Sequence, residues 1–417
     1  MSASQRSHIA DPLLAPEGAT AIQWAKDHSP VVDGLVRERL SDGSLEGKRI
    51  ALVLHLEAKT AFLATVVADA GAQVVVAGCN PHSTRDEIAA ALVDRDIEVH
   101  AIRNCGYEAW EKDLLEVADT GPEYIIDDGA ELTVRMAKYR PDLFAELHGV
   151  SEQTTTGVAR LRAMQEADRL PFPAMAANDA QCKHLFDNRY GTGQSVIQAV
   201  LNLTNMLLPG KVVAIIGYGW VGRGLATYAR AMGGRPLVVE VDPVRALEAY
   251  MDGHEVGSMA EALPKADFVL TATGGQRAVA ARHFSMLKDG AILANAGHHD
   301  LEIDVEALDR NSTTRKAARP GVDRYRWQGE RDVHVLADGA LVNIAGGLGH
   351  PIEIMDLSFA VQGLSCHQLV TNVYPDGVHV MPESLDKAIA AAKLRAHNVS
   401  FDSIEADQRD TVDEWLQ

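Results

Sequence analysis

From Lys211 the chain reads KVVAIIGYGWVGRGLATYARAMGGRPLVVEVDP, and few sequences constrain a fold as tightly. An apolar run, Val212 to Ile216, leads into Gly217, Gly219 and Gly222 in G-x-G-x-x-G spacing, with Trp220 and Val221 between the last two. A helix-length stretch follows as far as Gly233 and Gly234, and a second apolar run, Leu237 to Val239, ends at Glu240. Strand, glycine loop, helix and strand in that order predict a parallel βαβ unit whose loop opens the helix. Gly217 permits the tight turn, Gly219 lets a pyrophosphate approach the backbone, and Gly222 lets the helix pack closely on the strand. The helix N-terminus then favours the negative charge. Glu240, at the fingerprint's distance of about 20 residues, accepts hydrogen bonds from a ribose and repels a 2′-phosphate, so the pattern points to NAD rather than NADP.

The same rhythm runs through the rest of the chain. RIALVLHLEAKTAFLATVVADAGAQVVVAGC, from Arg49 to Cys79, is a second βαβ pattern, and EYIIDDG is a strand ending in Asp127 and Asp128. DFVLTATGG, GAILANAGHHDLEID and HVLADGALVNIAGGLGH each close an apolar run on small and polar residues. The expectation is an α/β protein of two Rossmann-like, doubly wound parallel-sheet domains. A first domain spans 1–180 and is completed by 351–395, an NAD-binding domain spans 194–348, and a short tail spans 396–417, its acidic end reading as a helix.

Composition narrows the partners. A formal charge of -19 excludes a phosphate backbone or an anionic membrane as the natural surface, because both would be repelled. No apolar run reaches the roughly 18 residues of a membrane span, and the N-terminus lacks an export pattern. The four cysteines show no CxxC spacing, which fits a reducing cytoplasm and gives no zinc site. A small polar substrate is expected.

Three stretches could carry chemistry. SEQTTTGV, residues 151–158, read alone is a strand end or helix cap. NDAQCKHLFDN places Lys183 and Asp187 four apart, on one face if helical, which describes a surface ion pair as well as a site. Asp127 and Asp128 fit either a cap or a strand-end site. Adjacent ligands on extended backbone point to opposite faces, so His298, His299 and Asp300 are not expected to hold a metal, and no metal is expected elsewhere.

Taken in order, HLEAKTA, GCNPHSTRD, IDDG, SEQTTTGV, NDAQCKHLFDNRYGTGQS, GYGWVGRG, NAGHHDLEID and LVNIAGGLGHPIEIMDLSF resemble the S-adenosyl-L-homocysteine hydrolase family from end to end. The resemblance implies a hydrolase with bound NAD that oxidises a ribose 3′-hydroxyl, eliminates a thiol, adds water and reduces the ketone. It implies catalytic roles for His55, Asp128, Lys183, Asp187 and His298. It places Glu57, Lys59, Gln153, Thr154 and His350 at the substrate. It places Thr154, Thr155, Thr156, Asn188, Glu240, Asn295 and Asn343 at the cofactor beside the glycine loop. A cytoplasmic homo-oligomer, dimer or tetramer, acting on a nucleoside is also implied.

Three features depart from the family's common pattern. Glu57 and Lys59 stand where Thr and Glu usually read an adenine; the ammonium suits a 6-oxo purine and resembles the archaeal branch that takes S-inosyl-L-homocysteine. Gln153 replaces a second acid, and an amide can neither act as a base nor favour a cation. The chain stops at DEWLQ without the family's terminal Lys and Tyr, so looser NAD retention is expected. These departures keep two other readings in play: an NAD-dependent oxidoreductase or epimerase acting at the ribose 3′-carbon in specialised nucleoside biosynthesis, and an inactive NAD-binding regulator.

Overall fold

Ile50, Leu52 and Leu54 of the strand Arg49–Leu54 enter one apolar cluster, whereas Ala51 and Val53 enter another. A strand apolar at every position has two buried faces, and the alternation of side chains across the pleat feeds both. In this computed structural model, which describes residues 3–297 and 300–403, that strand is central to an eight-stranded sheet. The order is His8–Ile9, Glu98–Ala101, Gln73–Gly78, Arg49–Leu54, Tyr124–Asp127, Gly149–Glu152, Pro173–Ala176 and Gly377–His379, all parallel. The 20-residue helix Ile352–Thr371 joins the cluster on one face, so chain from both sides of the second sheet builds the first.

The second sheet splits its strands in the same way: Val213 and Ile215 of Val212–Ile216 face one cluster, and Val212, Ala214 and Ile216 the other. Its order is Glu255–Val256, Arg235–Val239, Val212–Ile216, Phe268–Thr271, Ala291–Asn295, Arg331–Leu336, Val322–Trp327 and Ser312–Arg319. The last two pairings are antiparallel, a departure from the purely parallel expectation. The cause is local: Gly321, at φ +71, closes a tight turn, and STTRKAAR lies exposed at the sheet edge. Such a strand has no buried face and therefore no apolar pattern to read.

The C-terminal edges of both sheets open toward one another. Open parallel sheets bind ligands at that edge. Two stretches cross between the sheets: the helical run from Gln181 to Thr204, and the loop after Leu336 that enters the helix Ile352–Thr371. The crossing is close packed, because a Cβ on Gly224 would lie 1.9 Å from the Arg189 carbonyl oxygen and one on Gly193 would lie 2.7 Å from Gly224. The four cysteines are unpaired, and no helix among the described residues is long and apolar enough to cross a membrane. Gly224→Ala is expected to cost about 1–3 kcal/mol in denaturant unfolding through overpacking. An unchanged midpoint would mean that the helix and the Arg189 turn are free to separate.

Candidate active site

Between the two strand edges lies a cavity of about 840 Å³. Each side chain reaches it for a local reason. His55 follows the last residue of Arg49–Leu54, Asp128 follows Tyr124–Asp127, and Gln153 follows Gly149–Glu152, so three neighbouring strands end on three cavity residues. Strand-end positions are where the ladder stops and side chains turn outward.

The paired acids divide their labour. Asp127 accepts hydrogen bonds from the Thr133 amide and hydroxyl at 3.0 and 2.8 Å, serving the first turn of the helix Glu131–Tyr139, while Asp128 lines the cavity. Glu152 lies beneath them and accepts from the amides of Gly129, Ala130 and Thr154 and from the Thr154 hydroxyl. Burial, then the charges of Asp127 and Asp128, push the Glu152 carboxyl well up, and burial pushes Asp127 up to about 6. Three carboxylates this close do not all stay charged near neutrality.

His55 faces Asp128, with Nε2 3.9 Å from Oδ2, while its Nδ1 lies 2.6 Å from the Ser83 hydroxyl oxygen. Ser83 donates to the Asn80 carbonyl at 2.9 Å, so it accepts from Nδ1–H, and the Nε2 lone pair is the one turned to Asp128. Burial lowers the His55 pKa to about 4, against the opposing pull of Glu57. The ring is therefore neutral at ordinary pH.

Lys183 and Asp187 meet as an ion pair at 3.3 Å. The helix widens into a π-type turn over His184–Gly191, which also brings Asn188, five residues from Lys183, to 2.7 Å from its ammonium. Wide turns of this kind recur at functional sites. Asp187 accepts from Ser358 at 2.7 Å and from the Gln153 amide at 3.3 Å on the same oxygen, and its other oxygen lies 2.7 Å from His350 Nδ1. Burial alone would raise this carboxyl, but Lys183, His350 and the hydrogen bonds from His350 and Ser358 outweigh it and hold Asp187 well below the usual range. The Gln153 side chain is buried and its Oε1 has no hydrogen-bond partner among the described residues, an acceptor waiting at the cavity wall.

The threonines separate by role. Thr154 caps the helix Thr155–Glu166 by accepting from the Gly157 amide at 3.0 Å, the local role legible in the stretch alone. Thr155 donates to Asn178 at 3.2 Å, and Asn188 donates to the same oxygen at 3.2 Å; Thr156 lines the cavity. Asn178, Glu152 and Ser358 were missed by sequence reasoning, although Asn178 sits inside a matched phrase. Ser358 also sits inside a matched phrase, but its pairing with Asp187, 171 residues earlier, is not legible in the chain alone.

The second sheet supplies the opposite wall. Gly217 takes φ +101, and a Cβ there would lie 2.6 Å from the Ala272 carbonyl oxygen. A Cβ on Gly222 would lie 2.0 Å from the Gly217 carbonyl oxygen, whereas one on Gly219 would meet nothing closer than 3.9 Å. Two of the three glycines thus answer to packing and the third leaves an open approach beside Trp220 and Val221. The Glu240 carboxylate is aimed by the amides of Tyr218 at 2.6 Å, Val241 at 2.6 Å and Asp242 at 3.0 Å. Asn295 is tied to Thr271 and Gly297 behind the wall. The fully buried Asn343 donates to Ser195 at 2.9 Å, with Oδ1 left without a partner among the described residues. An open glycine cradle, an aimed carboxylate and an unpaired amide oxygen fit a dinucleotide.

Lys59 stands apart from the expectation of a base-reading donor. Its ammonium meets Glu57 at 2.8 Å and the carbonyls of Leu348 and His350 at 3.2 and 2.7 Å, which engages all three of its protons. Glu57, not Lys59, lines the cavity. His298 and His299 lie outside the described residues, as do 404–417 of the tail.

The chain matches the family described as S-adenosyl-L-homocysteine hydrolase over residues 6–141 and that family's NAD binding domain over 188–349. It is 44% identical over 411 residues to an S-inosyl-L-homocysteine hydrolase of Methanopyrus kandleri, covering 98% of this chain and 97% of the relative. An adenosylhomocysteinase of Gloeobacter violaceus is 43% identical over 405 residues, covering 96% and 95%. An S-inosyl-L-homocysteine hydrolase of Methanosarcina mazei is 43% identical over 404 residues, covering 96% and 98%.

The neutral His55 has a measurable consequence. Its ring takes a proton near 6.5 in the unfolded chain but only near 4 in the native one. Between those values the unfolded state binds more protons, so this residue makes stability fall as pH drops through that window. His55→Gln is expected to flatten that part of the unfolding free energy against pH. A difference between variant and parent that stays constant from pH 7 down to about 4 would show that the ring is not held neutral.

Proposed function

Because the chain belongs to the S-adenosyl-L-homocysteine hydrolase family, we propose that it hydrolyses the thioether of a purine S-nucleosyl-L-homocysteine, releasing nucleoside and homocysteine, with NAD as resident cofactor. The observation that carries this reading is the meeting of Lys183, Asp187, His350, His55 and Asp128 in one cavity against the glycine cradle. Bound there, NAD would supply a reversible hydride acceptor for the ribose 3′-carbon. Gly219 and the helix it opens would hold the pyrophosphate, Glu240 the adenosine ribose, and Thr155 and Thr156, with the unpaired Asn343 oxygen behind them, the carboxamide end.

The protein's own groups move the protons. Lys183, fixed by Asp187 and Asn188, is the group placed to take the 3′-hydroxyl proton, for which its ammonium first gives up one proton. Gln153 Oε1 accepts from a neighbouring sugar hydroxyl. A 3′-ketone makes the 4′-hydrogen acidic, and Asp128 removes it as the C5′–S bond breaks. The proton taken by Asp128 passes through His55 Nε2 to the departing sulfur; His55, neutral again, then takes a proton from the water that adds at C5′, and that proton returns through Asp128 to C4′. Closing the two walls excludes bulk water from the ketone. The relatives are named as hydrolases, which leaves the redox-only reading without support.

Glu57 is an acceptor, and it serves the 6-amino group of adenine as well as the N1–H of hypoxanthine. Purified protein incubated with S-adenosyl- and S-inosyl-L-homocysteine is expected to release thiol from at least one, with bound NADH appearing transiently. Thiol from neither, with NADH forming on another nucleoside, sinks the proposal. Lys183→Ala is expected to lower NADH formation by roughly 10²–10⁴-fold, the usual worth of a positioned acid–base group. Lys59→Met is expected to lower kcat/KM for both substrates by a similar factor, since the ammonium grips the Leu348–His350 loop. A selective loss on the inosyl substrate would instead make Lys59 the reader of the base.

A further inference from the structure

Far from the cavity, the first sheet ends on a strand of two residues, His8–Ile9, paired in parallel with Glu98–Ala101 so that His8 lies beside His100. Register partners project to the same face of a sheet. The helix Tyr107–Asp119 brings Asp113 and Glu116 to these two rings, three apart and hence on one side of the helix. His8 Nδ1 is 2.6 Å from Asp113 Oδ1, and His100 Nδ1 is 3.0 Å from Glu116 Oε2. Metal-ligating atoms of His100, Asp113 and Glu116 all lie within 4.8 Å of one another.

Two facts mark this cluster as short of a positive centre. His100, 4% exposed, meets a carboxylate at each ring nitrogen, Glu116 at Nδ1 and Glu98 at Nε2, both at 3.0 Å. Carboxylates only accept, so the ring either donates from both nitrogens or, with one nitrogen bare, turns a lone pair to a cation held against the carboxylate there. Asp113 is 1% exposed, and its Oδ2 has no hydrogen-bond partner among the described residues. Nearby cations are spent at the periphery: Arg6 sits on Glu98 at 2.5 Å, and the exposed Lys112 on Glu116 at 3.4 Å.

We propose that His100, Asp113 and Glu116 bind one divalent transition cation of the zinc class, and that His8, held 2.6 Å from the ligating Asp113, thereby fastens the N-terminal edge strand to the sheet. A metal at His100 Nδ1 leaves Nε2–H to donate to Glu98, itself held by Arg6, and a carboxylate behind a ligating histidine is the usual way such a ring is oriented. Bonds of about 2.0–2.2 Å to one imidazole and two carboxylates, with a position left for water, suit zinc or cobalt, whereas magnesium and calcium prefer oxygen alone. A two-residue strand offers too short a ladder to stay docked unaided.

The test uses the full chain with its cofactor, stripped by a chelator and titrated with Zn²⁺ in a calorimeter. One site per chain is expected, with a rise in thermal midpoint. His100→Gln should abolish it, and Glu116→Gln, at a partly exposed position that disturbs no packing, should weaken it at least tenfold. The active site contains a competing trio, His55, Cys79 and Asp128. Cys79→Ser is therefore expected to keep the titrated site, and Co²⁺ bound to the parent should show visible ligand-field bands without a thiolate charge-transfer band. No stoichiometric binding, or binding lost in Cys79→Ser and retained in Glu116→Gln, overturns the proposal.

Discussion

One buried carboxylate, Asp187, joins the parts of the active site. It accepts from Gln153 at a strand end and from Ser358 on the long helix, pairs with Lys183 on its own helical turn, and has His350 of the connecting loop 2.7 Å from its other oxygen. A buried charge is tolerated only when it is this fully paired, and removing one partner costs far more than the pair's net worth. The same arrangement therefore holds four segments in register and keeps the carboxyl charged. A site assembled this way resists rearrangement, because displacing Lys183 leaves a buried charge without its partner.

Close backbone packing does for the cofactor wall what charge does for the substrate wall. Gly217 and Gly222 leave no room for a side chain, and Gly193 and Gly224 do the same where the crossing helices meet. Gly219 alone is open, and it caps the helix Trp220–Ala231. The fingerprint thus contains two residues that build the loop and one that offers it to a phosphate.

Legibility followed the range of the interactions. The glycine loop, its strands and Glu240 were readable because their pattern is set within one βαβ unit, although Gly217 also packs against Ala272. Lys183 and Asp187 were readable as a pair because helical spacing brings them together, although the π-type turn that adds Asn188 was not. Thr154 kept the capping role its own neighbours dictate. Lys59 looked like a base reader in a linear motif, yet its partners are carbonyls 289 and 291 residues away. The edge strand Ser312–Arg319 was invisible, since hydrophobic patterning reports only faces that are buried.

The sequence by itself determined two doubly wound sheets, a dinucleotide loop and the residue types of the site, because local periodicity and turn chemistry are short-range properties of the chain. The tertiary structure alone decided which acid faces the cavity and which serves a helix, that His55 is neutral, that Lys59 grips a loop, and that Ser358 completes the pairing of Asp187. Those outcomes depend on burial and on contacts between residues far apart in the chain, and neither is encoded in the spacing of a motif.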